Sequence, residues 1–346
     1  MLLVNVNGSN SFEKRSKISV FIDFFRKSTF FLALTLAFGF ANAQSVYPEN
    51  VPQLFYNVSS TPEILELKWQ GPGLSTGGHL QGIQPYYTKG KKYWIFSGSG
   101  SEYGYVAVAQ AKSDWLAQHD YVLKFAPAYN HVGGIQVNGK WLVLGIEDVA
   151  QKTSSFIRMY DLEEAMAGNI AQGIKIPRQG KEKVGTAGAT GIVNLQDGRF
   201  MIVVGSWDCE TVDLYLSNGK DAEDPDFGFT KMHHWQARSA DRSKWIETDW
   251  AAYQSLNLIQ ESSGKVYLIG FAKVKKKQVM DLFEVKWENG IHSSKMLRKV
   301  SRREMNCKKG ASFRMGAGLF LNAEGKLEIY ACSADLEKKL VVNVFR

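Results

Sequence analysis

A short pattern of small and β-branched residues returns five times along this 346-residue chain, at intervals too long for a hairpin. It reads His79-Leu80-Gln81-Gly82-Ile83-Gln84, His131-Val132-Gly133-Gly134-Ile135-Gln136, Gly188-Ala189-Thr190-Gly191-Ile192-Val193, Gln254-Ser255-Leu256-Asn257-Leu258-Ile259 and Met315-Gly316-Ala317-Gly318-Leu319-Phe320. From Gly82 through Gly134, Gly191 and Asn257 to Gly318 the steps are 52, 57, 66 and 61 residues, which fits four strands joined by loops of uneven length. Each unit continues into a turn signal (Gly90, Asn138-Gly139, Asp197-Gly198, Ser263-Gly264, Glu324-Gly325) and a second apolar strand, so all five open with a tight hairpin.

Third strands are expected near Gly104 to Ala109, Phe156 to Tyr160, Val212 to Leu216, Met280 to Val285 and Leu340 to Phe345. Fourth strands read at Tyr121 to Phe125, Gly173 to Ile176, Phe229 to His233 and around Ser294 to Arg298. The fifth unit stops after its third strand, whereas an orphan strand, Ile64 to Trp69, precedes the first. If that strand completes the last unit, five four-stranded sheets close into a ring with only short exposed edges. The chain thus resembles the five-bladed β-propeller architecture over residues from about Ile64 to Arg346. The all-β class, four-stranded blades and an N-terminal strand completing the C-terminal blade follow as expectations. Glycine in the opening strands is a packing device, because innermost strands converge on a narrow axis.

The N-terminus reads as an export leader. Lys14, Arg15, Lys17, Arg26 and Lys27 precede an apolar run from Phe30 to Phe40 that ends in Ala41-Asn42-Ala43. Residues 1–43 are assigned as a signal peptide, 44–62 as an extension and 63–346 as the propeller. The apolar run is far shorter than the roughly 20 residues of a membrane-spanning helix, so the mature chain is expected to be secreted or periplasmic, without a membrane span, and monomeric. Losing the leader lowers the formal charge from +8 to about +5. Clusters such as Lys275-Lys276-Lys277 read as solvated turns, and nucleic acid is not an expected partner. Three cysteines leave an odd count: Cys307 and Cys332 are placed to bridge within the last repeat, leaving Cys209 free.

In propellers the loops entering the innermost strands share a face with those joining second strand to third. On that face the ligand candidates are His79, Gln81, His131, Glu147, Asp148, Asp208, Gln254, Lys273, Arg314 and Asp335. His79 and His131 hold equivalent positions in adjacent repeats and are the candidate ligands of a divalent metal, with carboxylate loops nearby; the alternative is that both imidazoles bond to neighbouring backbone. The innermost strands carry no Asp or Glu, only the amides Gln84, Gln136 and Asn257, which are able to bind a ligand but are poor proton carriers. Trp94 and Trp141 are expected between blades, while Trp207 and Trp250 are open to either role; Arg238, Arg242 and Lys244 are read as a solvated loop or a surface for an acidic partner. No phosphate loop, paired CxxC or nucleophile elbow occurs, and Gly98-Ser99-Gly100-Ser101 reads as a turn.

Two ligand-directed functions remain open at this stage, beside a purely structural propeller that scaffolds an envelope assembly. One is an exported module that binds a glycan, a small anion or an envelope protein at the channel mouth. The other is a hydrolase or lyase with a histidine and carboxylate site there, with or without a metal.

Overall fold

Five antiparallel sheets follow the five repeats. The structure, a computed structural model, describes residues 47–71, 74, 77–125, 127–169, 173–336 and 340–346. The expected leader and its expected cleavage site lie outside the described residues. Among those residues no helix is long and apolar enough to cross a membrane.

Helix α1 (Val51–Asn57) and strand β1 (Glu63–Gln70) come first. Blade 1 is β2 (Leu80–Thr88), β3 (Lys91–Gly98), β4 (Tyr105–Ser113) and β5 (Leu116–Lys124). Blade 2 is β6 (His131–Val132), β7 (Gln136–Asn138), β8 (Trp141–Glu147), β9 (Ser154–Asp161) and β10 (Ile174–Gln179), with α2 (Leu162–Met166) after β9. Blade 3 is β11 (Ala189–Asn194), β12 (Phe200–Gly205), β13 (Thr211–Ser217) and β14 (Phe229–Gln236). Blade 4 is β15 (Ser255–Gln260), β16 (Val266–Val274), β17 (Lys277–Val285) and β18 (Leu297–Met305); blade 5 is β19 (Ser312–Leu321), β20 (Leu327–Cys332) and β21 (Leu340–Phe345).

The orphan strand closes the ring. β1 pairs antiparallel with β21, from Glu63 opposite Val344 to Leu67 opposite Leu340, and becomes the outer strand of blade 5. The chain is therefore a five-bladed β-propeller. Closure goes further than the repeat arithmetic implies, because the end of β1 also runs parallel to β5, Lys68 to Gln70 beside Leu116 to Gln118. Inner strands β19 and β2 meet at Ala317 and Gly82, so blades 5 and 1 share one closed hydrogen-bonded path. The preceding segment straps onto the same region: Ser59 N donates to Arg346 O at 2.7 Å, and α1 buries Val51 and Phe55 against blades 4 and 5.

Two local readings change. The expected fourth strand of blade 4 starts later, at Leu297, because Ser293–Lys295 forms a 3₁₀ turn capped by the His292 side chain. Blade 2 has a broken inner strand: Gly133 and Gly134 interrupt it, and Gly134 N turns to Gly188 O of blade 3 at 3.0 Å.

The axis is filled rather than open. A Cβ on Gly318 would lie 1.9 Å from Ile83 O, so only glycine lets blade 5 approach blade 1 there. Asn257 ties four blades together: its Nδ2 donates to Ile135 O at 3.1 Å, while its Oδ1 accepts from Leu319 N at 3.0 Å and from Gln84 Nε2 at 3.2 Å. Gln136 spans blades 2, 3 and 4, donating to Leu258 O at 2.8 Å and accepting from Leu258 N and Ile192 N. The three amides considered above as ligand groups are thus consumed in joining blades, since a buried polar group without a partner costs about 1–3 kcal/mol.

The interblade tryptophans behave as expected. Trp94 is buried against Tyr330 of blade 5, and Trp141 packs on Phe200 of blade 3. Trp250 joins Trp235, Trp245, Tyr253 and Phe283 in one aromatic cluster, and its Nε1 donates to Cys209 O. The Arg242 guanidinium donates to Thr248 O and Ala237 O and lies 5.3 Å from the Trp245 ring, so it braces its own loop instead of facing a partner. Cys209, Cys307 and Cys332 are all free thiols. The expected bridge is absent: Cys332 Sγ points to the carbonyls of Met315 and Gly316 at 3.8 Å.

Candidate functional site

The broken inner strand of blade 2 determines what its first residue meets. Gly133 lies so close to Gly188 that a Cβ would stand 2.1 Å from the Gly188 carbonyl oxygen. Just upstream, β6 pairs His131 with Glu147 at the end of β8. Cross-strand partners point to the same side of a sheet, and His131 Nδ1 lies 2.7 Å from Glu147 Oε1. Glu147 is fully buried, and its other oxygen accepts from Ala187 N at 2.7 Å.

Neither Nδ1 nor Glu147 Oε1 has another hydrogen-bond partner among the described residues, so the carboxylate favours the tautomer with its proton on Nδ1, in which Nε2 is the acceptor. No hydrogen bond or ion pair engages Nε2 among the described residues, and the side chain is 13 % exposed. The arrangement is an imidazole whose back is held by a carboxylate and whose front is open.

Three loops bring further groups to this front. Thr186, buried between blades 2 and 3, donates to Lys183 O and accepts from Trp207 N, both at 2.6 Å. Lys183 N in turn donates to Lys152 O at 2.7 Å. This chain of bonds sets the Trp207 indole 5.7 Å from the His131 ring, inclined by 37°, with Lys152 Nζ 4.1 Å from the indole centroid. Lys183 Nζ lies 3.8 Å from Asp208 and 3.4 Å from Glu210, whereas Lys152 makes no ion pair among the described residues.

Strain concentrates here as well. Lys152, Lys183, Asp208 and Cys209 have φ of +56°, +66°, +56° and +53°. A left-handed residue other than glycine costs roughly 1 kcal/mol or more and persists where the surroundings enforce it.

Of the residues put forward from sequence, His131 and Glu147 come together directly, and Asp208 flanks them through Lys183. Asp148 is taken up in its own turn, accepting from Gln151 N at 2.9 Å. His79 bonds locally, with Nδ1 2.7 Å from Leu80 O and Nε2 3.4 Å from Gln81 Nε2, although its carbonyl accepts from Ser99 N, and Ser99 is bridged to His131. Gln254 sits where blade 4 enters the axis, its N–H donating to Phe271 O. Lys273, Arg314 and Asp335 are exposed on blades 4 and 5, apart from this cluster. Among the described residues no group of three or more His, Cys, Asp or Glu is disposed to hold a metal ion, so the paired histidines gather no further ligands. Lys152, Lys183 and Thr186 had no signal in the sequence, because loop-to-loop stitching brings them in and no motif does.

A shallow cavity of about 230 Å³ at the other end of blade 4 is lined by Ser263, Gly264, Lys265, Glu284, Lys286 and Trp287. Its buried carboxylate is already occupied, with Glu284 paired to Lys286 and Arg298.

No family model and no curated protein matches the sequence. Solved structures similar in outline include a hypothetical protein from Leishmania major, 13 % identical, covering 84 % of this chain and 91 % of that one at a TM-score of 0.47. A mannose phosphorylase from Leishmania mexicana in complex with phosphate is 12 % identical, covering 85 % and 90 % at 0.44. An exo-β-1,3-galactanase from Phanerochaete chrysosporium with β-1,3-galactotriose is 9 % identical, covering 82 % and 64 % at 0.46. At such identities and scores nothing about activity passes from them to this chain.

Proposed function

We propose that this chain is an exported glycan-active propeller, and that it acts on its ligand at the loop-bearing face of blades 2 and 3 with His131 as the proton-transfer group. The observation that carries the reading is the partly exposed imidazole of His131, whose Nδ1 lies 2.7 Å from the buried Glu147 and whose Nε2 is engaged by no hydrogen bond among the described residues. Glu147 is the positioning residue: it holds the ring and its tautomer, as a base needs a fixed orientation toward the proton it takes. Trp207 gives a sugar an apolar ring edge beside the reacting group, and the lysines and carboxylates around it supply hydroxyl partners, a combination of apolar wall and few polar anchors that suits a sugar.

The lack of Asp and Glu on the five innermost strands favours one variant of this reading over another. Hydrolysis by two opposed carboxylates calls for such residues around a central funnel. A single base at the blade 2 and 3 seam does not.

The test is release of reducing ends from a panel of polysaccharides by the wild-type protein and by His131→Gln. Turnover is expected to fall by roughly 10²-fold or more in the variant, with the melting temperature held within a few degrees. Equal turnover by both proteins would overturn the assignment, and binding without any turnover would reduce the protein to a glycan-binding module.

A further inference from the structure

Resting on the glycan reading, we infer that the sugar acted on carries a carboxylate, and that the reaction is β-elimination at a uronate residue. The argument starts from Lys152. Its ammonium stands 4.1 Å from the centroid of the Trp207 ring, makes no ion pair among the described residues, and is carried on a loop strained to φ +56°. The other cation of the cluster, Lys183, is paired with Asp208 and Glu210, and the buried Glu147 carboxylate accepts from Ala187 N and faces the neutral His131 ring. Lys152 is thus the cation of the cluster without an ion pair among the described residues, and it shares the Trp207 indole with the imidazole base. A ligand that satisfies both brings an anion to Lys152 and a proton to His131 Nε2.

A uronate does this within one sugar ring, since its carboxylate is bonded to the carbon that bears the removable proton. The proton is weakly acidic until the carboxylate charge is neutralised, and an ammonium held beside it stabilises the negative charge that develops. His131 Nε2 takes the proton from that carbon, C5. The electron pair left behind forms the C4=C5 double bond as the C4–O4 bond breaks. O4 leaves with its bonding pair and takes up a proton, from the imidazolium or from water. One glycosidic bond becomes one unsaturated uronate end and one free hydroxyl, with no oxidant, reductant or added water in the balance. A single base and a cation suffice, which agrees with the absence of carboxylates on the innermost strands.

The test uses the purified protein on polygalacturonate, alginate and a glucuronate-containing glycosaminoglycan, each beside its carboxyl-reduced neutral form. Two readouts run together, the ultraviolet absorbance of the conjugated double bond and the release of reducing ends. The expected result is an ultraviolet-absorbing product from a uronate polymer and none from its reduced form. His131→Gln should abolish the signal. Lys152→Ala should raise KM about tenfold, the effect of one charge-assisted contact, with a smaller change in kcat, and Lys152→Arg should restore most of the loss. Reducing ends released from the neutral forms without absorbance would overturn the elimination and leave the glycan assignment standing. Failure of all six polymers to be cut or bound would overturn both.

Discussion

Two regions of this ring are built from the same parts and differ in how completely those parts are used. In blade 4, Lys299 and Asp281 are fully buried beside Trp245, and each has several partners. Lys299 Nζ donates to Asp249 O at 2.6 Å and to Asp249 Oδ1 at 3.0 Å, and it lies 3.3 Å from Asp281 Oδ2. Arg302 grips both Asp281 oxygens at 2.7 Å, and the Tyr253 hydroxyl donates to the same carboxylate. At the seam of blades 2 and 3 there is again a tryptophan, a lysine over its ring and a fully buried carboxylate, but among the described residues the imidazole keeps one nitrogen unused and the lysine has no counter-ion. Saturation marks a brace that fixes the long insertion before β15 to its blade. An unfilled valence held in strained, stitched loops marks a place arranged for something else to bind.

The contrast breaks most visibly in stability. Asp281→Ala removes the fully buried carboxylate shared by Lys299 and Arg302 and leaves both to Asp249, and removing one partner from a buried ionic network costs roughly 3–5 kcal/mol. Denaturant unfolding should show a loss of that size with turnover per folded molecule unchanged. A loss under 1 kcal/mol would mean that the blade 4 network braces nothing.

Glu147→Gln should give the reverse outcome. The amide oxygen is able to keep the bond from Ala187 N, so stability should move by about 1 kcal/mol or less. The ring loses the carboxylate that orients it, so turnover should fall by roughly 10²-fold. A variant that unfolds instead would place Glu147 with the braces.

Acid separates the regions more gently. Burial alone would raise the Asp249 carboxyl, but the hydrogen bonds from Lys299 and Arg302 outweigh it and hold the pKa below the usual value. Glu284 is likewise lowered against its burial by Lys286 and Arg298. Both folded values lie under the unfolded ones of roughly 4, so the stability these groups lend is complete above that range and is lost as pH falls through the folded values. Melting followed from pH 6 downward, an interval of about 3 units chosen around those carboxylate values, should show this loss in the wild type and a shallower one in Asp249→Asn. Parallel slopes would contradict it.

Much of the ring was legible from residue order alone, because four-strand periodicity, turn dipeptides and the surplus strand before Gln70 are local or countable features. The parallel seam of β1 with β5 was not, since it depends on where two outer strands end up once the ring has closed. The site was half legible. His131 and Glu147 stood out as polar groups at the mouths of adjacent strands, and antiparallel register pairs them. The equivalence of His79 and His131 in the repeat was a weaker guide, because His79 spends its ring on its own backbone and on Gln81. Gln84, Gln136 and Asn257 misled for a related reason: an amide on a glycine-rich strand looks available until the opposing backbone is known to lie within hydrogen-bond reach. Lys152 and Thr186 belong to loops whose meeting no sequence spacing encodes.

The claim that the open imidazole is the working group is tested most directly by a crystal structure of the protein soaked with an oligosaccharide product. The account predicts sugar density within hydrogen-bond distance of His131 Nε2 and against Trp207. Density confined to the blade 4 cavity around Trp287, with the His131 front left to solvent, would contradict it.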